Sequence, residues 1–201
     1  MTHTESTIHA MRAAIAQHDL LAHPFYQAWS AGTLPVDALT TYAREYGAFI
    51  ATLDRGWATL GEPEGAAVER QHAALWHGFA GALGTPVSAA PTIAEVRALA
   101  DEAARSFASP AEAAGALYAF ERQQPATAQS KLDGLDRHYT AIADGARPYF
   151  EAHAGESGED TLLEAKLAAM TDAERARAAA ACDRMARALW NALSGIHAGA
   201  C

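Results

Sequence analysis

The sequence predicts an all-α protein built as one bundle of seven to eight antiparallel helices. Three observations carry this. Half of the 201 residues are hydrophobic, and much of that half is alanine, the strongest helix former. Strand-like alternations of Val, Ile and Thr are almost absent. Apolar residues recur instead at three- and four-residue steps, as in Leu39, Tyr42, Tyr46, Phe49 and Leu53. There is no repeat, low-complexity linker or composition break, so residues 1–201 read as a single domain of ordinary size.

A first helix is expected from about Glu5 to Leu21, stopping before His23-Pro24-Phe25. Thr33 as a cap and Pro35 in the first turn open a second, which carries the Leu39–Leu53 stripe and runs on until "GEPEG" breaks it. The third covers about Ala66 to Leu83 and stops at Gly84 and Pro86. The fourth begins near Thr92, and Ser109-Pro110 starts the fifth, which Pro125 must end or kink. A sixth follows from about Ala128 to Ala143. The stretch Ala146–Met170 reads as helical with a weak point at Gly155 and Gly158. Thr171 and Glu174 form a capping box for the last helix, whose core stripe is Cys182, Met185, Leu189 and Leu193.

A net charge of −9 excludes a nucleic-acid surface, which needs clustered Lys and Arg. No apolar run approaches the roughly 20 residues that span a bilayer. The start "MTHTESTIHAMRAAIAQHD" lacks a signal-peptide pattern. Cys182 and Cys201 make no disulfide framework, so a reducing cytoplasm is the expected location.

Several polar residues fall on apolar faces. His72 follows Val68 by four and precedes Leu75 and Trp76, with Glu69 three residues before it on the same side. A Glu-x-x-His pair on one helix can supply two metal ligands to a bundle, although a histidine there is more often a core residue with a backbone partner. Glu121 lies at the rim or inside of the fifth helix. A buried carboxylate must be paired, protonated or bound to a cation, and an arginine or Lys131 could neutralise it. His153 follows the core pair Tyr149-Phe150, with Glu156 and Asp160 at i+3 and i+7. The alternative for "GESGED" is an exposed acidic loop. Cys182 reads as a small buried hydrophobe.

"HPFYQAWSAGTL", "YAREY", "HAALWHGFAGALG", "ALYAFERQQPATAQSKLDGLDRHY" and "PYFEAH", in this order, resemble the haem-oxygenase-like di-metal oxidases. Within these the chain is most similar to the CADD-like group, with PqqC and TenA more distant. The resemblance implies a helical bundle, a homodimer, and an iron or mixed iron–manganese centre that activates O₂ on a small-molecule substrate. His72 and Glu121 match ligands of the third and fifth helices. His153 matches the first histidine of a His-x-x-x-Asp-x-x-His motif whose later positions are here Ser157 and Asp160. The resemblance therefore implies a ligand set of Glu69, His72, Glu121, His153 and Asp160 (or Glu156), with Glu45, Glu62 and Glu64 competing with Glu69. CADD-like members make 4-aminobenzoate from one of their own tyrosines with a lysine as amine donor. Tyr26 and Lys131 stand at positions similar to those two, and Tyr149 joins them as a catalytic candidate.

An alternative from the same resemblance is a cofactor-free PqqC/TenA-like enzyme or binder, with Tyr26, Trp29, Tyr42, Tyr46 and Tyr149 lining a pocket for a flat ring. Neither cysteine stands where TenA-type chemistry places one. A third is a scaffold protein that keeps only remnants of a site.

Overall fold

Each expected helix has a helical counterpart, but several are shorter or divided: the first stops at Gln17 and the sixth at Arg137. The computed structural model describes residues 2–155 and 158–199. In chain order these form α1 (His3–Gln17), α2 (Pro24–Ser30), α3 (Val36–Ile50), α4 (Leu53–Thr59), α5 (Pro63–Ala82), α6 (Ala94–Ser106), α7 (Pro110–Glu121), α8 (Gln124–Arg137), α9 (Ala143–His153), α10 (Glu159–Ala168) and α11 (Asp172–Ala198). Two 3₁₀ turns, Leu20–Ala22 and Thr140–Ile142, complete the set, and no strand occurs among the described residues.

The higher helix count has local causes. The first helix ends at Gln17, and His23 starts the short α2. Its Nδ1 accepts from the Phe25 N–H at 3.0 Å, while its other ring nitrogen lies 2.9 Å from the Ser194 hydroxyl on α11. The expected second helix breaks at Ala51-Thr52, where the Thr52 hydroxyl donates to the Phe49 carbonyl at 2.7 Å. Thr33 is not its cap: Pro35 occupies the cap position and supplies no side-chain bond. Pro125 lies in the first turn of α8, where its missing N–H costs nothing, so the chain turns at Arg122-Gln123. The stretch Ala146–Met170 divides into α9 and α10, and Gly158 enters α10 at φ 77°, a left-handed conformation that suits glycine. The Thr171–Glu174 capping box forms as expected.

Residues Ala113 to Glu121 of α7 are all buried, so this helix runs through the bundle centre and carries a carboxylate at its inner end. α11 packs along it, and its stripe Cys182, Met185, Leu189 and Leu193 is at most 1% exposed. The Leu39–Leu53 stripe is likewise buried. Val68, by contrast, is 40% exposed, so the buried face of α5 runs through Glu69, Trp76 and Phe79 instead. No described helix is long and apolar enough to cross a membrane.

The contact between α7 and α11 depends on Gly115. A Cβ built there would lie 1.9 Å from the Ala178 carbonyl oxygen, a backbone atom that cannot rotate away. Gly115→Ala must push two core helices apart, and it is expected to cost about 3 kcal/mol. Thermal melting of the variant checks this.

Candidate metal centre and the Lys131 pocket

Three carboxylates converge from three helices. Glu69 lies on the buried face of α5, Glu121 ends α7 and Glu159 begins α10; one oxygen from each falls within 4.8 Å of the others. Glu69 and Glu121 are 2% and 3% exposed. Neither oxygen of Glu121, nor Oε2 of Glu69, has a hydrogen-bond partner. Burial, then the neighbouring charges of Glu69 and Glu159, pushes the Glu121 carboxyl well above the usual carboxylate range. Burial raises Glu69 too, against the opposing pull of His72.

Two histidines flank this cluster. His72 Nδ1 lies 3.5 Å from Glu69 Oε1, and the His72 and His153 rings are 4.1 Å apart. His153 Nδ1 is 2.6 Å from the Tyr149 carbonyl. A carbonyl can only accept, so Nδ1 carries the proton and Nε2 keeps a lone pair, which has no partner. Burial first, then His72, lowers the His153 pKa to about 4, so the ring is neutral at pH 7. Carboxylates that repel one another beside unpaired imidazole nitrogens form a costly arrangement by themselves and a suitable one around a cation. The residues present fit a metal. A hollow of about 260 Å³, lined by Val68, His72, Gln124, Ala152, His153 and Glu159, opens onto this side.

The other acidic candidates are engaged elsewhere. Asp160 accepts from Arg122 Nη1 at 2.8 Å at the partly exposed edge, not in the cluster. Glu45 accepts from the Thr92 and Ile93 N–H groups at 2.6 and 3.2 Å and so caps α6, which holds its carboxyl below the ordinary value. Glu62 pairs with Lys166, and Glu64 is exposed. Glu156, Ser157 and Cys201 lie outside the described residues.

Lys131 does not neutralise Glu121. It points from α8 into a separate aromatic pocket, where its Nζ lies 2.6 Å from the Tyr26 hydroxyl and 2.7 Å from that of Tyr42. The ammonium also faces the rings of Tyr26 and Phe150 at 4.7 and 5.2 Å. Burial lowers its pKa to about 7 and raises that of Tyr26. The cavity around Tyr26, Tyr42, Tyr46, Lys131 and Tyr149 leaves only about 10 Å³ open to the centre of a water molecule. No pocket for a flat ring is present there, and Trp29 packs outside it against Tyr139 and Phe150. Tyr149 joins the two regions: its hydroxyl is buried without a partner, and its ring lies 4.4 Å from that of His153.

No family model matches the chain. Solved structures do. A TenA homologue from Pseudomonas syringae pv. tomato str. DC3000 superposes with a TM-score of 0.78 at 14% identity, covering 96% of this chain and 91% of that one. The chain has the TenA fold. A second TenA homologue, from P. horikoshii OT3, gives 0.73 at 14% identity over 99% and 100% of the two chains. This is the haem-oxygenase-like bundle that the ordered motifs implied. A protein of Nitrosomonas europaea named 4-aminobenzoate synthase is 28% identical over 222 aligned positions, spanning 93% of this chain and 89% of that protein.

Within this TenA fold no activated thiol stands among the described residues. Cys182 is fully buried, its thiol is pushed up to about 12 by burial, and its sulfur lies 3.9 Å from the Met11 carbonyl. Sequence reasoning missed Glu159. The signal was present as an acidic residue in a helix first turn, but that position is ordinarily explained by the helix dipole alone.

Proposed function

We propose that this chain is a metal-dependent, dioxygen-activating enzyme that makes 4-aminobenzoate from its own Tyr26 and Lys131. One observation carries the reading. The amine and the phenol already touch at 2.6 Å, in a cavity with about 10 Å³ of free space. A cavity of roughly 150 Å³ is needed to seat a benzene ring, so a separate aromatic substrate does not fit between them. The similarity to a protein named 4-aminobenzoate synthase supports the same product.

Glu69, His72, Glu121 and His153, with one further carboxylate, would hold iron, alone or with manganese. Such a centre, when bound, supplies dioxygen activation. The chain's own residues do the rest. Tyr26 and Tyr42 fix Nζ of Lys131 against the Tyr26 ring, and the packed aromatic walls exclude water. Near pH 7 a large fraction of the amine is unprotonated and keeps its lone pair. Exchange of the ring oxygen for the amine nitrogen, with the oxygen left on Lys131 Cε, is redox-neutral. Cleavage of the Tyr26 Cα–Cβ bond, with a Cβ hydrogen passing to Cα to leave glycine and Cβ oxidised to a carboxylate, releases four electrons, which one dioxygen accepts as it supplies both carboxylate oxygens.

Peptide mass mapping after aerobic incubation with iron(II) and reductant tests this. The expected result is loss of the Tyr26 ring, a changed Lys131 and released 4-aminobenzoate. An unchanged chain with no product overturns it. The initial rate is expected to rise with pH through about 7 and then level, because the protonated amine cannot attack. The 260 Å³ hollow beside the histidines favours a second reading, in which a small molecule is oxidised there. In that case substrate is consumed while Tyr26 and Lys131 stay intact.

A further inference from the structure

We propose that Glu159 is the third carboxylate ligand of the centre, and that Arg122 holds the adjacent Asp160 away from it. This rests on the metal-dependent reading above and assigns a ligand that the motif spacing does not contain. The spacing from His153 leads to Ser157 and Asp160, yet Asp160 is tied to Arg122 at 2.8 Å on the edge of the bundle. Successive residues at a helix start point in directions about 100° apart, so α10 cannot present both side chains to one point. With Asp160 tied to the exposed side chain of Arg122, Glu159 is the residue of this turn that reaches the cluster.

Three facts mark that inward position as a ligand site. An oxygen of Glu159 lies within 4.8 Å of oxygens from Glu69 and Glu121. Glu121, 3% exposed, brings two oxygens without a hydrogen-bond partner to the same place. The lone pair on His153 Nε2, buried and also without a partner, belongs to a ring that lines the same hollow as Glu159. The resulting set is three carboxylates and two imidazoles, and such a set suits iron(II) and manganese(II). Glu159, His72 and His153 all line the 260 Å³ hollow, so a small molecule entering it would meet a metal that these residues held.

Manganese(II) uptake by the full chain, followed by electron paramagnetic resonance titration and by metal content after desalting, tests the assignment without any turnover. Wild type is expected to retain manganese, Glu159→Gln to bind at least about tenfold more weakly, and Asp160→Asn to bind within about twofold of wild type. Circular dichroism confirms that both variants fold. Unchanged binding in Glu159→Gln, or loss in Asp160→Asn, overturns the assignment and leaves the metal-dependent reading standing. Failure of wild type itself to take up manganese or iron overturns both.

Discussion

Replacing Lys131 with methionine is expected to abolish 4-aminobenzoate release while leaving the bundle folded. Methionine keeps the unbranched apolar stem and is shorter only by the terminal nitrogen, so the space vacated between Tyr26, Tyr42 and Phe150 is that of a single heavy atom. The stability change is small because two effects oppose each other. The buried amine, whose pKa is lowered to about 7, no longer has to be held away from water. The Tyr26 and Tyr42 hydroxyls, however, lose the partner they share, at about 1–3 kcal/mol. The amine nitrogen itself disappears, and nothing else in that cavity supplies one. Chromatography of the released product and thermal melting of the same sample separate the chemical loss from any structural one. Undiminished product from Lys131→Met would assign the nitrogen to another donor.

The second large effect belongs to Glu121. Glu121→Gln is expected to abolish metal retention and, in the metal-free protein, to raise the melting temperature. The sign follows from the raised carboxyl. The folded chain keeps a proton on Glu121 that the unfolded chain releases near the ordinary carboxylate pKa. Metal-free stability therefore falls as pH rises above that ordinary value, until the raised folded value is passed. Glutamine carries no charge and removes that slope. The gain is the work of keeping the carboxyl protonated, about 1.4 kcal/mol for each pH unit above the ordinary carboxylate value until the raised folded value is reached. Differential scanning calorimetry across pH, with and without manganese, checks both halves. A variant less stable than wild type without metal would show that Glu121 is satisfied within the fold.

Much of the fold was legible because it rests on local rules. The Leu39–Leu53 stripe, the Thr171–Glu174 box and the Cys182–Leu193 stripe each follow from spacing alone, and each is present. What was not legible depends on distant partners. The break after Ile50 and the absence of a Thr33 cap reflect how the chain closes over its core, and the turn at Arg122-Gln123 absorbs Pro125 without a kink. The site divides along the same line. Glu69, His72, Glu121 and His153 come together as their residue types suggested. Asp160 is drawn to the edge of the bundle by Arg122, thirty-eight residues away in sequence, and no periodicity reports such a contact. Lys131 was expected either to pair with Glu121 or to approach Tyr26, and only the burial of the aromatic pocket decides between these.

Under the proposed self-consuming chemistry, the burial of Tyr26 would also give the protein a lifetime. Its ring is 3% exposed and packs against Phe25 with ring centres 5.8 Å apart. A chain that has surrendered this ring is left with a void in its core, and removal of a large aromatic side chain typically costs about 3–5 kcal/mol. Set against a total folding free energy on the order of 5–15 kcal/mol, that loss greatly enlarges the unfolded population. Each molecule would then fire once and afterwards be marked by its own instability for proteolysis. Output would follow the rate at which ribosomes replace the chain, with spent copies melting several degrees below fresh ones.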